Sequence, residues 1–341
     1  MNCPLPSPRY DAITLAHGGG GSLTDSLLRD VFFPAFGLHS PSPRDASPFL
    51  LFGKRAAFST DSYVVQPLFF PGGDIGSLAV NGTVNDLAMA GARPVALSAG
   101  FILEEGFPLD QLRRVVDSMR SAADRSGVSI LAGDTKVVGR ANGDGLYVNT
   151  SGVGEIVAPE PPAPERIRPG DSILLTGDVG RHGIAVLAKR HELSFDPPVS
   201  SDCASLLPPF LELYAHGPDV HCARDLTRGG LGGILCELAA AARLDFAVDE
   251  SSVPVVPPVR AACNLLGFDP LFVANEGCAV LFVAPADAPA ALDVLRRHPA
   301  TANAVAIGSV GQPGGHVSAR TPFGTLRRLI APSGEQLPRI C

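Results

Sequence analysis

The run Ala158-Pro159-Glu160-Pro161-Pro162-Ala163-Pro164 constrains this chain more than any other stretch. Proline lacks a backbone N–H and fixes φ, so neither a helix nor a central strand continues through four prolines in seven positions. Such a run reads as a domain boundary. It divides the chain into a domain over 1–157, a domain over 158–330, and a polar, proline-punctuated tail over 331–341. The length of 341 residues suits two domains, and the 45% hydrophobic content can fill two cores. The 37 glycines and 32 prolines call for many turns rather than long helices.

Charge and cysteine usage exclude several classes. The net charge is −7 and no basic block stands out, which argues against nucleic-acid binding. No apolar run approaches bilayer length. The opening residues Met1–Ser7 lack a cationic segment followed by an apolar one, so secretion is not expected. Seven cysteines with no C-x-x-C pair leave an odd number, which speaks against a disulfide framework or a zinc site and for reduced thiols in a cytoplasm.

The periodicity predicts alternating strands and helices. In the first domain, Ala12–Ala16 reads as a strand entering His17-Gly18-Gly19-Gly20-Gly21-Ser22, with a helix near Ser22–Asp30. The glycines either let backbone N–H groups approach a phosphate or form a loose entry loop; no Gly-Lys-Ser/Thr follows, so this is not a P-loop. The Pro- and Ser-rich span 38–54 reads as a surface loop. Strands are expected at Ala56–Thr60, Pro94–Phe101, Val128–Gly133 and Leu146–Gly154, with helices at Ile75–Ala90, capped by Asp74, and Leu109–Gly127. In the second domain, strands are expected at Asp171–Thr176, Cys278–Ala284 and Ala304–Val310. Helices are expected through Lys189, over Pro208–Tyr214, up to about Arg243, within Val255–Leu266 and over Ala288–Arg297. Cys222–Leu231 reads as a loop. The tail beyond Ala331 is expected to be mobile.

Acids recur at the ends of these elements: Asp61, Asp86, Asp134 and Asp225, with Asp74 as a cap. Each alone is explained by turn chemistry. Together, carboxylates in Gly-rich turns are what magnesium on a triphosphate requires. Lys136, two residues beyond Asp134, is either a charge for a transferring phosphoryl group or an ordinary surface lysine. Asn81, Asn85 and Asp86 interrupt an otherwise apolar helix and are expected to face a ligand. Cys341 stands at the end of the tail, where a thiol adds little to a core but can reach.

The strings Thr60-Asp61-Ser62-Tyr63-Val64-Val65, Phe69-Phe70-Pro71-Gly72-Gly73-Asp74-Ile75-Gly76, Gly82-Thr83-Val84-Asn85-Asp86-Leu87-Ala88-Met89, Gly133-Asp134-Thr135-Lys136-Val137-Val138, Arg224-Asp225-Leu226-Thr227-Arg228-Gly229-Gly230 and Pro338-Arg339-Ile340-Cys341 together resemble the HypE family of hydrogenase maturation factors. That family lies within the ATP-using superfamily of aminoimidazole ribonucleotide synthetase (PurM-like). The resemblance spans nearly the whole chain. It implies an α/β (α+β) fold of two domains, the N-terminal strands closing a barrel across a homodimer. It implies that a HypF-like carbamoyltransferase loads Cys341, and that ATP then drives dehydration of the S-carbamoyl group to a thiocyanate. The cyano group is passed to iron on a HypC–HypD scaffold for the [NiFe] centre. By the same resemblance, Gly18, Gly19, Gly20, Gly72, Gly73, Asp74, Asn85, Asp86, Asp134 and Lys136 bind ATP, and Asp61, Asp86, Asp134 and Asp225 hold Mg2+. Glu276, in Asn275-Glu276-Gly277, is the expected base. Leu226, Cys278 and Asn81 depart from the family's usual Pro, Lys and Cys. Two other classes stay open: a sister kinase or synthetase acting on a free small molecule, and a non-enzymatic thiol carrier.

Overall fold

The computed structural model describes residues 13, 21–35, 44–331, 337 and 339–341. Helices α1 (Ser22–Leu27) and α2 (Phe33–Ala35), joined by a π-helical turn, precede the first domain. Its five-stranded sheet comprises β1 (Ser47–Leu51), β2 (Lys54–Tyr63), β5 (Ala92–Glu104), β6 (Ser129–Val138) and β7 (Leu146–Ile156), in the order β1-β2-β7-β5-β6. Only β5 and β6 run parallel, linked across α4 (Leu109–Ser126). A two-stranded hairpin, β3 (Phe69–Phe70) with β4 (Gly73–Asp74), leads into α3 (Ile75–Met89).

Helix α3 organises the molecule. The Asp74 carboxylate accepts the N–H groups of Gly76 and Ser77, and the Ser77 hydroxyl accepts the Asp74 N–H, a reciprocal capping box. Beyond that turn every residue from Leu78 to Met89 is buried. A helix apolar on nearly all sides needs cover on all sides. One side of α3 packs on β2, β5 and β7; elsewhere it meets α4 and, from the second domain, α6 (Leu207–His216) and β9 (Val220–Asp225). One apolar cluster therefore runs from Leu78, Val84 and Met119 into Ile184, Phe210 and Leu281.

The second domain is a seven-stranded sheet ordered β14-β13-β10-β12-β8-β11-β9, parallel only between β10 and β13. Its further strands are β8 (Ser172–Leu175), β10 (Leu244–Asp249), β11 (Ala279–Val283), β12 (Val305–Pro313), β13 (Val317–Arg320) and β14 (Leu326–Leu329). Helices α5 (Arg181–Arg190), α7 (Gly230–Ala242), α8 (Pro257–Leu266) and α9 (Ala288–Arg296) complete it. No helix among the described residues is long and apolar enough to cross a membrane.

The structure differs from the sequence reading in several places. Residues 47–51, expected in a loop, form the edge strand β1, where Pro48 is tolerated because an edge leaves one side of the ladder unpaired. Cys222–Asp225, expected in a loop, belongs to strand β9 (Val220–Asp225) at the other sheet's edge. Asp134 and Lys136 lie inside β6 rather than in a turn after it. The described tail residues are docked: Leu337 and Ile340 are buried in the shared apolar cluster. The expected strand Ala12–Ala16 falls, apart from Ile13, outside the described residues.

Candidate functional site

Where α3, β9 and the start of β1 meet, three carboxylates converge. Asp45, Asp86 and Asp225 each offer an oxygen within 4.8 Å of the others. Asp86, in the last turn of α3, accepts a short hydrogen bond from the Ser59 hydroxyl. Asp225 closes β9, and its N–H donates to Asp45 at 3.3 Å. Arg224 forms an ion pair with Asp45. Burial, reinforced by the neighbouring Asp61, Asp225 and Asp45 carboxylates, pushes Asp86 well above the ordinary carboxylate range. Burial and then Asp45 do the same to Asp225. Asp45, buried but facing Arg224, rises to about 6. Like charges crowded into a dry site cannot all ionise without a counter-charge. Hard oxygen donors gathered in this way suit a magnesium ion on a phosphate chain. Asp45 escaped the sequence reading because its flanking prolines read as a loop.

Glu276 lies on the turn before β11. Its side chain is buried, and its Oε1 has no hydrogen-bond partner. Burial, then Asp225, Asp202 and Asp61, raise its proton affinity far above that of a surface glutamate. A buried carboxyl with an orphaned oxygen is poised to exchange a proton. Its main chain is held by Asp202, whose carboxylate accepts the N–H of Glu276 at 3.2 Å and of Gly277 at 3.1 Å. A side chain at Gly277 would collide with the Asp202 carbonyl, which explains the glycine. Asn275 fixes the turn from the other side, accepting the Gly180 N–H at 2.6 Å and donating to the Leu226 and Val273 carbonyls.

The other expected site residues divide by sheet face. In the row Asp61–Thr150–Ala99–Gly133, Thr150 bonds the α3 carbonyl of Ala79, so Asp61 belongs to the face of the buried cluster. The next row, Ser62–Asn149–Gly100–Asp134, leaves on the opposite face, because side chains alternate along a strand. Asp134 and Lys136 therefore point away from Asp86 in this single chain. Both are exposed, and they pair with each other at 2.6 Å. The Lys136 hydrogen bond lowers the Asp134 carboxyl. Within one chain, Asp134 does not share the metal-ligand set expected for it.

Other residues expected at the site have structural partners. The Asn85 amide is spent on the second domain, donating to the Ala204 carbonyl at 3.0 Å and accepting the Leu206 N–H at 2.7 Å. Asn81 likewise donates to the Cys203 sulfur, so of the three polar residues on α3 only Asp86 reaches the acid cluster. Gly72, at φ +89°, has room for no side chain against the Ser201 backbone, and Gly73 none against the Phe70 ring. Asp74 is the cap of α3. Gly18, Gly19 and Gly20 lie outside the described residues.

The described residues of the tail are docked through their main chain. Three successive carbonyls are all bonded: Arg339 accepts from Gln66 N–H at 3.1 Å and Arg190 at 2.6 Å, Ile340 from His182 Nε2 at 2.5 Å, and Cys341 from Val64 N–H at 3.1 Å. Arg339 adopts a left-handed φ of 59°, the kink that turns successive carbonyls to different donors. Its guanidinium pairs with Asp144 at 3.1 Å. Cys341 is half-buried against the shared core.

Comparison with known proteins adds to this geometry. Family models of AIR synthase related proteins match here, the N-terminal domain over residues 45–156 and the C-terminal domain over 168–319. The carbamoyl dehydratase HypE of Cupriavidus necator is 48% identical over 332 residues, covering 96% of this chain and 95% of that protein. That of Rhodobacter capsulatus is 47% identical, covering 98% of this chain and 99% of that one. A crystal structure of the hydrogenase maturation protein HypE in complex with ATP superimposes with a TM-score of 0.82 at 46% identity, over 97% of this chain and all of that one. HypE in a HypE–HypF complex gives 0.85 at 41%, over 90% of this chain and all of that one. A thiamine monophosphate kinase of Aquifex aeolicus, 15% identical over 88% of this chain and 99% of that one at a TM-score of 0.64, shares the fold alone.

Proposed function

Because the chain belongs to the HypE family of carbamoyl dehydratases, we propose that it uses ATP to dehydrate an S-carbamoyl group on its own Cys341 to a thiocyanate. The cyano group would then become a ligand of hydrogenase iron. The observation that carries this reading is the docked tail: a cysteine whose main chain is held beside β2 by donors from both domains, on a scaffold that also holds a buried, orphaned glutamate. A free small-molecule substrate would need no such seat.

The chemistry follows from the groups present. The carboxamide oxygen is a poor leaving group, and transfer of the ATP γ-phosphoryl makes it a good one. Loss of phosphate, with removal of the remaining amide proton, leaves S–C≡N; the balance is one S-carbamoyl and one ATP to one thiocyanate, ADP and phosphate. In its ionised form Glu276 would take the nitrogen proton, its burial and acidic neighbours making that carboxylate a stronger base than a surface one. Asp45, Asp86 and Asp225 would hold Mg2+, which would offset their charge and that of the triphosphate. Covalent attachment makes the reaction intramolecular, with the high effective concentration of a short tether.

Lys136 and Asp134 need a second copy to join a site. The sheet face that carries them also exposes Phe58, Val95 and Ile102. A homodimer that stacks this face on its twin would cover the apolar residues and bring Lys136 to bound nucleotide. HypF, which forms a complex with a related HypE, is the proposed source of the carbamoyl group, and a HypC–HypD scaffold the acceptor. The decisive test is a mass spectrum of the carbamoylated Cys341 peptide before and after ATP. Loss of one water, absent in Glu276→Gln, is expected. Consumption of ATP with an unchanged peptide mass would refute the assignment.

A further inference from the structure

His182, in the first turn of α5, is fully buried and lies between the tail and the segment that holds Glu276. Its two ring nitrogens have unambiguous roles. The Ile340 carbonyl can only accept, so Nε2 carries the proton that reaches it at 2.5 Å. Burial pushes the ring's pKa down to about 4, so it is neutral at pH 7 and Nδ1 is bare. Nδ1 then accepts the Ser201 hydroxyl at 2.8 Å, and Ser201 Oγ in turn accepts the Cys203 N–H at 3.0 Å. The Phe70 ring meets the imidazole edge-on at 5.3 Å between centroids, which fixes its plane. Between Ser201 and Cys203 stands Asp202, whose carboxylate holds the Glu276 and Gly277 amides.

We propose that His182 is a positioning residue that clamps the Cys341-bearing segment in its seat and links that occupancy, through Ser201-Asp202-Cys203, to the placement of Glu276. The linkage to Glu276 rests on the function proposed above; the clamp itself does not. Nothing in the sequence marked this histidine, which lies 158 residues from its tail partner. When the seat empties, the His182 Nε2–H is left buried without an acceptor, a state that costs free energy and disfavours the undocked tail.

The experiment compares His182→Leu, which keeps an apolar side chain without the donor, with His182→Gln, whose amide nitrogen can donate from nearly the same place. The first readout is the rate of Cys341 alkylation by iodoacetamide without nucleotide, followed by mass spectrometry. His182→Leu is expected to react about tenfold faster than the native protein, and His182→Gln at close to the native rate. The second readout is single-turnover phosphate release from S-carbamoyl Cys341, expected to fall about tenfold in His182→Leu, with unchanged ATP affinity, and to recover in His182→Gln. Native-rate alkylation in His182→Leu, or equal acceleration in both variants, overturns the clamp. Accelerated alkylation with unchanged phosphate release overturns the linkage to Glu276 alone. If the native protein releases no phosphate, the functional reading fails while the alkylation result still decides the clamp. Should His182→Leu unfold, as alkylation of the buried Cys278 would reveal, Ser201→Ala decides: about threefold faster Cys341 alkylation supports the clamp, and an unchanged rate overturns it.

Discussion

Two groups of carboxylates in this molecule meet opposite fates. Asp86 and Asp225 are buried at the junction of the domains, raised far above their ordinary range by burial and by the carboxylates around them. Asp134 lies on the open face of β6, lowered by the ammonium of Lys136. All three belong to motifs that look alike in sequence, an acid beside small or polar residues. The first group stores repulsion that a bound cation would relieve. The second is already neutralised within its own strand, so whatever it contributes to a nucleotide site must come when another surface covers it.

The largest expected effect is on turnover. Asp86→Asn should reduce ATP-dependent dehydration by about 10²–10³, the scale of losing a preorganised electrostatic contact, without loss of fold. Lys136→Ala should also lose activity, but its losses should track nucleotide affinity and dimer content measured by light scattering. Normal turnover in Asp86→Asn would erase the distinction between the two groups.

Magnesium gives a second, smaller contrast. At about one hundred times its dissociation constant a ligand adds about 2.7 kcal/mol to stability. For a chain of this size that is a rise of several degrees in Tm. Native protein and Asp134→Asn should both show the shift in scanning calorimetry at pH 7, and Asp86→Asn should not. An equal shift in all three proteins would move the metal elsewhere.

The smallest effect is the pH dependence without metal. A carboxylate whose folded pKa is raised binds more protons folded than unfolded, so its contribution to stability is full below the unfolded value and is lost as pH rises toward the folded one. The gap in Tm between Asp86→Asn and native protein should therefore open above about pH 4 in favour of the variant and widen with pH, by at most about 1.4 kcal/mol per unit. Asp134→Asn should show a weak gap of the opposite sign, because a lowered pKa stabilises above the unfolded value and that gain fades as pH falls through the folded one. Parallel curves for native protein and Asp86→Asn would show that the cluster is not repulsive.

Much of this was legible in the sequence, for local reasons. The Asp74 cap and the spans of α3 and α4 follow from neighbours within a turn or two, and each is observed to within a residue. Asp86 and Asp225 were read as site acids, and they are brought together. The roles of Asn81 and Asn85 were misread. Polar residues on an apolar helix do need partners, but the partners are backbone and sulfur of the 203–206 segment, more than a hundred residues away. Asp45 was hidden by its prolines. Strands β10 and β13 do alternate buried and exposed residues, but like β14 they are only four to six residues long, too short for the pattern to stand out before the sheet pairs them.

By itself the sequence determined the α/β character of the chain, the cap and span of α3, and the presence of acids at the ends of its elements together with a thiol in its tail. Those properties are set by residue type and short spacing. Only the tertiary structure decided that Asp134 turns away from Asp86, since the facing of a strand depends on register and on the bulge at Leu131 within β6 itself. It also decided where the described tail residues sit. Leu337 and Ile340 find an apolar pocket, and the carbonyls around them find Val64, Gln66, His182 and Arg190, only after both domains have packed on α3. A polar, proline-punctuated segment has no core of its own, so its order comes entirely from the surface it meets.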